Sequence, residues 1–285
     1  MDLKELKKGL RKIESNLQTV SFDYSRKIVN TFCDDMTLMR DYLKYRNGAV
    51  GFHLDIIKDH LDYYSDLLKQ PKGFDKGIHL SFNAGWEMNY LLDDLIFNQM
   101  SFYDYFSTYI MYVFYGDEIR NSAKGYEPLS LKNKKMEHLF QALRNISWLE
   151  MAKLVKNNSS RKSKLHYDLN PISNSTVSEK IKNWDSKFVY KLYRLRSDII
   201  HNKVTPVGNN VSYNPVNGGK YNFSVHGTYK EMFPNEDTNF EKTIEFLIKS
   251  YSNSVIECTE ALINDIEENR LVKKEDMFQK WEWEL

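Results

Sequence analysis

Apolar residues recur at intervals of three and four along most of the chain, which predicts a protein built mainly of amphipathic helices. In residues 2–18 and 23–46 the apolar positions share one helical face, and a third helix is expected at about residues 50–68. A long, aromatic-rich helix is expected from about residue 83 to residue 115, and another over residues 131–156. The predicted fold class is therefore all-α.

Two more long helices are expected in the second half of the chain. Ser175 or Thr176, followed by Glu179, is typical of a helix start, because a hydroxyl and an acid satisfy the first N–H groups. Apolar spacing continues this helix to Ile199, and the last long helix is expected over residues 238–269.

Between these two helices the pattern changes from helical spacing to that of a small β-hairpin. Residues 210–213 and 220–225 alternate polar with apolar or aromatic side chains, and Pro-Val-Asn-Gly-Gly separates them. Such a segment is a turn signal between two short strands. We therefore expect a hairpin insertion directly after the helix that ends near Ile199.

The Pro/Gly-containing stretch at residues 70–77 is the best candidate for a domain boundary, since both residue types interrupt helices. The predicted organisation is an N-terminal helical region at residues 1–76, a helical bundle at residues 77–270 and a charged tail at residues 271–285.

Charge is distributed unevenly although the chain as a whole is nearly neutral. Residues 1–119 have a net charge of −4, residues 120–203 have +11, and residues 204–285 have −6. A basic segment of this size is expected if phosphate groups bind there, although a solvated basic face would give the same pattern.

The cysteine content and the hydropathy argue against disulfide-rich and membrane proteins. Cys33 and Cys258 are far apart and lack partners at metal-binding spacing, so a reducing cytoplasm is the simplest location. The apolar stretch at residues 95–115 is interrupted by polar residues such as Asp104. We therefore expect no membrane span.

The chain's strongest candidate for chemistry is Arg196, followed five residues later by His201 and then Asn202. A guanidinium group offers a planar fork of donors that suits phosphate oxygens, and imidazole, with a pKa of about 6.5, can accept or donate a proton near neutrality. Arg194 lies seven residues before His201 and shares its helical face. The segment therefore combines phosphate binding with acid-base capacity.

Each of these residues also has a structural interpretation. His201 could cap the last carbonyl groups of its helix, and Asn202 could simply end it. Arg196 could form an ion pair with Asp198 or Asp185, and Arg194 could lie on a solvated face.

Four long helices after residue 77, with Arg-x4-His near the end of the third, resemble the HEPN superfamily of ribonuclease domains. The resemblance covers about residues 80–268 and rests most specifically on the motif. Arg196 and His201 fit its spacing of four, and Arg194 and His201 fit the longer spacing of six that the family also allows, so both registers stay open. It implies an antiparallel helical bundle that forms a homodimer with a composite active site. It also implies RNA as substrate, an antitoxin or regulatory protein as a possible partner, and neither cofactor nor metal.

In the family, the arginine and histidine cleave RNA by attack of the 2′-hydroxyl group, in toxin and phage-defence systems. Arg196 and His201 are accordingly the expected catalytic residues, and Arg194, Asn202 and Ser197 are expected to contact the substrate. Ser197 stands where the family most often has Asn, Asp or His. The alternative is thus a catalytically inactive module that binds nucleic acid or protein, and a third hypothesis is an interaction protein with this spacing by chance.

Other polar and aromatic groups have weaker functional interpretations. Asp93, Asp94 and Asp104 are expected to form ion pairs or to cap arginines, because adjacent helical aspartates rarely share one metal ion. Five other histidines are expected at the surface or the core edge. They are His53, His60, His138, His166 and His226.

An aromatic stripe on the long helix could stack on RNA bases, but packing is the favoured interpretation. It consists of Phe97, Phe102, Tyr105, Phe106, Tyr109 and Tyr112. A basic stretch is either a sequence-independent RNA contact or a solvated linker. It consists of Lys153, Lys156, Arg161, Lys162 and Lys164.

Overall fold

The computed structural model describes residues 1–27, 33–69, 73–123, 145–157, 172, 174–200, 207–214 and 218–268. This part of the chain is mostly helical, as predicted, with one two-stranded sheet. The elements are α1 Leu3–Lys27, α2 Cys33–Lys69, α3 Gly73–Ala123, α4 Trp148–Asn157, α5 Thr176–Trp184, a π-helical turn Asp185–Val189, α6 Tyr190–Ile200, β1 Val207–Asn214, β2 Gly218–Val225, α7 Thr228–Met232 and α8 Phe240–Glu267.

The hairpin after α6 is confirmed. Strands β1 and β2 pair antiparallel, with Val207 opposite Val225 and Asn214 opposite Gly218. The buried side chains of the hairpin include Val207, Val225 and Phe223, so one face contributes to the core.

Helix α2 is continuous where the sequence predicted two helices separated near residues 47–49. Asn47 is buried, its amide donates to the backbone oxygen of Leu10 at 3.0 Å, and the Tyr251 hydroxyl donates to its Oδ1 at 3.3 Å. The exposed Gly48 is accommodated within the helix, at a cost of about 1 kcal/mol relative to alanine. Bonds to residues distant in sequence therefore override a local break signal.

Helices α1 and α3 are longer than predicted. Helix α1 runs through to Lys27, past the expected break at residues 19–22, and Val20 is fully buried in this region. Helix α3 begins at Gly73 and continues beyond residue 115, where a loop was expected. A kink at Tyr115, with φ −135° and ψ 27°, marks that position instead.

Helix α4 begins at Trp148, so the prediction of one helix over residues 131–156 is wrong at Asn145–Ser147 and lies outside the described residues before that. The Ser147 hydroxyl accepts from the backbone N–H of Glu150 at 3.4 Å. Asp104, on α3, accepts from the backbone N–H of Trp148 at 3.2 Å. Two side chains thus satisfy the first N–H groups of the helix.

Ser175, rather than Thr176, is the N-cap of α5. Its hydroxyl accepts from the backbone N–H of Ser178 at 3.3 Å. The buried carboxylate of Asp265, on α8, accepts from the N–H groups of Thr176 at 2.8 Å and Val177 at 2.9 Å. A negative charge at a helix N-terminus is stabilised by the helix dipole, so Asp265 has a structural role.

The chain divides into two compact units, each assembled from segments distant in sequence. Unit 1 consists of Met1–Leu10, Arg46–Met100 and Phe188–Asn253, and unit 2 consists of Arg11–Tyr45, Ser101–Lys187 and Ser254–Leu285. The domain organisation expected from the sequence stays a prediction, and its tail at residues 271–285 lies outside the described residues.

Each unit has an apolar core of fully buried side chains. In unit 1 these include Leu54, Ile57, Met88, Leu92, Leu95, Ile96, Val225, Ile244, Leu247 and Ile248. In unit 2 they include Ile13, Leu17, Phe102, Tyr103, Phe106, Tyr109, Trp148, Val255 and Leu262. Within the described helices, none has a stretch long and apolar enough to cross a bilayer.

Candidate functional site on helices α3 and α6

Helix α6 carries three of the five predicted site residues. Arg194 is exposed, whereas Arg196 and Ser197 are half-buried. His201 and Asn202 lie outside the described residues, so their predicted roles stay predictions.

Arg196 contacts helix α3 through an aromatic ring. Its guanidinium carbon lies 5.5 Å from the centroid of the Phe97 ring. A cation over the face of an aromatic ring is attracted by the ring's negative quadrupole, and guanidinium groups are the commonest partner. The contact gives the Arg196 guanidinium a defined position against helix α3.

Asp185, one proposed ion-pair partner of Arg196, is engaged elsewhere. It is buried at the start of the π-helical turn, where its Oδ1 accepts from Trp148 Nε1 at 3.1 Å and its Oδ2 accepts from Lys156 Nζ at 2.6 Å. This arrangement satisfies both oxygens. It also gives Lys156, a member of the basic stretch, a carboxylate partner.

The other members of that basic stretch fall into two groups. Lys153 is exposed, which fits either the RNA contact or the solvated surface. Arg161, Lys162 and Lys164 lie outside the described residues.

The chain that follows the motif is fastened to the same helix α3. The buried backbone N–H of Val207 donates to Asn89 Oδ1 at 2.7 Å. At Gly85, one turn earlier, an added Cβ would lie 3.4 Å from the backbone oxygen of Val207, so the two backbones pass close together. Arg196 and Val207 bracket the segment that holds His201, and both contact α3.

Asp93 lies on α3 between these two contacts, four residues after Asn89 and four before Phe97. Residues four apart share a helical face. Asp93 Oδ1 is buried and makes no hydrogen bond. Burial, and secondarily the charge of Asp94, raises the pKa of Asp93 to about 6. The α3 face therefore holds a carboxyl group that changes charge near neutral pH.

Asp93, Asp94 and Asp104, all expected to form ion pairs or to cap arginines, have three different surroundings. Asp94 is exposed with its Oδ2 at 3.7 Å from His53 Nε2, and Asp104 accepts from the Trp148 backbone. Across the described part of the chain, no group of three or more potential metal-binding side chains comes together.

His53, His60 and His226 lie at the surface or the core edge, as predicted. The Nδ1 atoms of His53 and His60 bond to the backbone oxygens of Ala49 and Ile56, each at 2.9 Å, and both rings are half-buried. His226 is exposed with its Nε2 at 2.7 Å from the Ser224 hydroxyl. His138 and His166 lie outside the described residues.

Packing is confirmed as the role of most of the predicted aromatic stripe. Its buried members are Phe102, Phe106, Tyr109 and Tyr112. Tyr105 is exposed on one side and lies edge-on to Tyr42, with ring centroids 4.2 Å apart. Phe97 lies under Arg196.

Two exposed aromatic residues of α3, Trp86 and Tyr90, were not singled out from the sequence. Their signal is the spacing of positions 86, 90, 93 and 97, which places both on the face of Asp93 and Phe97. We call this set, with Asn89 and with Arg196 of α6, the α3/α6 face.

No protein-family model, curated protein or solved structure matches the chain. Its function is therefore inferred from its own residues and their arrangement on the α3/α6 face.

Proposed function

We propose that the protein is a metal-independent endoribonuclease of HEPN type, acting as a toxin or phage-defence effector in the cytoplasm. The observation that supports this is the half-buried Arg196 guanidinium on the Phe97 ring of α3. The exposed Arg194 lies two residues earlier on α6. Phosphate binding with proton transfer requires a guanidinium group and an acid-base group, and we assign the second role to His201, which lies outside the described residues.

In the proposed reaction His201 removes the proton of a ribose 2′-hydroxyl group, and that oxygen attacks the adjacent phosphorus. The bond from phosphorus to the 5′-oxygen breaks, and the leaving oxygen takes a proton from an imidazolium group. The products are a 2′,3′-cyclic phosphate and a 5′-hydroxyl end. Both proton transfers use imidazole, so no metal-bound water is needed.

Arg196 binds the scissile phosphate and stabilises the negative charge that builds on its oxygens during attack. Groups placed in advance where charge develops contribute strongly to catalysis. The Phe97 contact supports this role because it limits the conformations of the guanidinium before RNA binds.

The proposal includes a homodimer, because a single His201 would have to act as both base and acid. In a dimer, one His201 takes the 2′-hydroxyl proton and His201 of the partner subunit protonates the leaving oxygen. Light scattering during gel filtration tests this directly: a mass twice that of the 33.8 kDa chain is expected. A monomer that still cuts RNA would contradict the composite site.

The enzymatic proposal is tested by incubating purified protein with mixed RNA in EDTA. We expect cutting by the wild type and at least about 100-fold slower cutting by Arg196→Ala and His201→Ala, the loss typical of removing a charge-stabilising or acid-base group. Arg11→Ala, on the exposed side of α1, and His226→Ala are the matched controls and should cut normally.

Two outcomes would contradict the ribonuclease. Equal cutting by Arg196→Ala and by wild type would indicate a contaminating nuclease or a different site. RNA binding without cutting would favour the catalytically inactive module. Ser197 supports that alternative, because the family most often has Asn, Asp or His directly after the motif arginine.

A further inference from the structure

Trp86 and Tyr90 present two aromatic rings at the surface of α3. Trp86 is 41% and Tyr90 64% exposed, and their ring centroids lie 6.3 Å apart at an interplanar angle of 33°. Single exposed aromatic residues are common, but two on successive turns of one helix form a continuous apolar surface. Tryptophan and tyrosine are also enriched among the residues that carry most of the binding energy of protein interfaces. The pair therefore marks a candidate docking surface.

Two exposed carboxylates lie beside these rings on the same helix. Glu87 is three residues before Tyr90 and Asp94 is four residues after it, so all three occupy neighbouring positions of one helical face. The side chain of Glu87 is 48% exposed and that of Asp94 is 62% exposed. We call Trp86, Glu87, Tyr90 and Asp94 the aromatic-acidic patch, and all four lie in unit 1.

The neighbours of these two carboxylates on α2 are histidines. His53 Nε2 lies 3.7 Å from Asp94 Oδ2, and His60 Nε2 lies 3.9 Å from Glu87 Oε2. Both histidines bond to a backbone oxygen through Nδ1, so a neutral ring has no proton on Nε2 to offer a carboxylate. Glu87 also accepts from the Tyr64 hydroxyl at 2.6 Å. Among the described residues, no lysine or arginine forms an ion pair with either carboxylate.

The charge of the aromatic-acidic patch favours a cationic ligand and disfavours a phosphate backbone. Arg196 shows how a guanidinium group lies against this side of α3, since it is placed over the ring of Phe97. Position 97 falls between positions 86 and 90 around the helix, and lies about 10 Å beyond position 90 along the axis. The rings of Trp86 and Tyr90 therefore offer a second place for such a contact, with carboxylates beside it.

We propose that the aromatic-acidic patch docks an arginine-containing segment of a partner protein. An arginine side chain fits both parts of the patch, because its planar guanidinium group stacks on aromatic rings and donates two hydrogen bonds to a carboxylate. From Trp86 to Asp94 the patch extends about 12 Å along the helix axis, which matches three to four residues of an extended chain, at about 3.4 Å each. The inference does not depend on the proposed ribonuclease activity.

Fluorescence anisotropy tests the inference with a dye-labelled peptide of alternating arginine and serine, and with lysine–serine and glutamate–serine peptides of the same length. The full chain has a formal net charge of +1, so its overall charge does not attract a cationic peptide. We expect the arginine–serine peptide to bind most tightly and the lysine–serine peptide more weakly, because an ammonium group lacks the planar fork of donors. The glutamate–serine peptide should not bind.

Two double variants of the full chain locate the binding. Trp86→Ala/Tyr90→Ala should bind the arginine–serine peptide about tenfold more weakly, through the loss of two exposed cation–ring contacts. Glu87→Gln/Asp94→Asn should lose about tenfold as well, because two ion pairs at the surface disappear, and its affinity should depend less on salt. Trp86→Phe, which keeps a ring, should retain most of the affinity.

Matched variants elsewhere on the chain separate the patch from unspecific attraction. Glu260→Gln/Glu267→Gln removes the same charge at exposed positions of α8. Phe22→Ala/Tyr45→Ala removes two exposed rings of α1 and α2. Both variants should bind the arginine–serine peptide like the wild type.

The inference is overturned if the wild type does not bind the arginine–serine peptide, if either patch variant binds it with unchanged affinity, or if the matched variants lose as much. It is also overturned if Trp86→Ala/Tyr90→Ala weakens binding of a short single-stranded RNA with methylated 2′-oxygens but not of the peptide, which would assign the rings to nucleic acid. No step of the test involves cleavage, so the ribonuclease proposal can fail while the docking surface stands.

Discussion

Asp93 in unit 1 and Asp185 in unit 2 each have a carboxylate oxygen withdrawn from solvent, and they differ in whether those oxygens accept hydrogen bonds. Asp185 binds Trp148 Nε1 and Lys156 Nζ. Asp93 has a buried Oδ1 without a hydrogen bond and a pKa raised to about 6. Burial by itself therefore does not distinguish a structural carboxylate from one with functional potential.

The difference lies in what surrounds each group. Asp185 links the π-helical turn to α4, and its bonds account for its burial. Asp93 lies between the Asn89 and Phe97 contacts that fasten both ends of the motif segment to α3. A buried polar atom without a hydrogen bond costs stability, and Asp93 Oδ1 lies on the helix face that carries the Asn89 and Phe97 contacts.

The largest expected loss of stability follows from replacing Asp185, whose two carboxylate oxygens both accept hydrogen bonds. Asp185→Ala leaves the buried Trp148 N–H without an acceptor and removes the partner of Lys156. We expect the free energy of unfolding to fall by about 3 kcal/mol in urea titrations, at the lower end for a broken buried pair because Lys156 is partly exposed. Glu257→Ala, which breaks the more exposed pair with Lys180, should cost only about 0.5 kcal/mol. Equal losses would contradict the structural role of Asp185.

The second-largest effect is expected at Asn89, which holds the backbone of Val207 after the motif. Asn89→Ala removes the acceptor of the buried Val207 N–H, which should lower the free energy of unfolding by about 2 kcal/mol. Asn98→Ala is the matched change on the same helix, since the Asn98 amide donates only to the backbone oxygen of Asp94. That variant should stay within about 0.5 kcal/mol of wild type. A stable Asn89→Ala protein would show that Val207 is not held there.

The pH dependence of folding stability distinguishes Asp93 from Asp185 directly. Its pKa rises from an ordinary 3.8 to about 6 on folding, so the unfolded chain loses this proton first as the pH increases. Folding is therefore penalised progressively between about pH 4 and pH 6, and fully above that range. Asp93→Asn removes the charge and should stabilise the protein by about 1–2 kcal/mol at pH 8, a value reduced for partial exposure, and by almost nothing at pH 4.

The control for this titration is Asp59→Asn, an exposed position on α2. Thermal unfolding from pH 4 to pH 8 should give parallel curves for that variant and wild type. Asp93→Asn curves that are also parallel to wild type would mean that Asp93 is not an unsatisfied buried acid.

The smallest expected effect is on the aromatic support of Arg196. Phe97→Leu keeps an apolar side chain but removes the ring face, and should lower stability by about 0.5–1 kcal/mol. Phe97→Tyr keeps the ring and should differ little from wild type. If Phe97→Leu and Phe97→Tyr melt at the same temperature, the guanidinium–ring contact contributes nothing.

The sequence predicted the helical class, the hairpin and α8 because periodic spacing and turn residues are local signals. It failed at residues 47–49, where Asn47 bonds to Leu10 and Tyr251 keep α2 continuous. The start of α4 does have a local signal, because Ser147 and Glu150 have the spacing of a helix cap.

The sequence identifies the arginines of the candidate site but not the contacts that those residues make in the folded chain. Arg194 and Arg196 were identifiable from spacing to His201. The Phe97 contact and the Asn89 bond to Val207 join residues about 100 positions apart, and no local pattern encodes such pairings. Asp93 was visible as an acidic residue, but its missing hydrogen bond depends on the folded surroundings.

The most direct test of the ribonuclease is the chemistry of the ends it leaves. One single-stranded RNA, and the same sequence methylated at every 2′-oxygen, are incubated with protein in EDTA, and the fragments are weighed by mass spectrometry. The expected result is fragments ending in 2′,3′-cyclic phosphate from the unmodified RNA, none from the methylated RNA, and none with Arg196→Ala. Cutting of the methylated strand, or no cutting of either strand, would contradict the proposed activity.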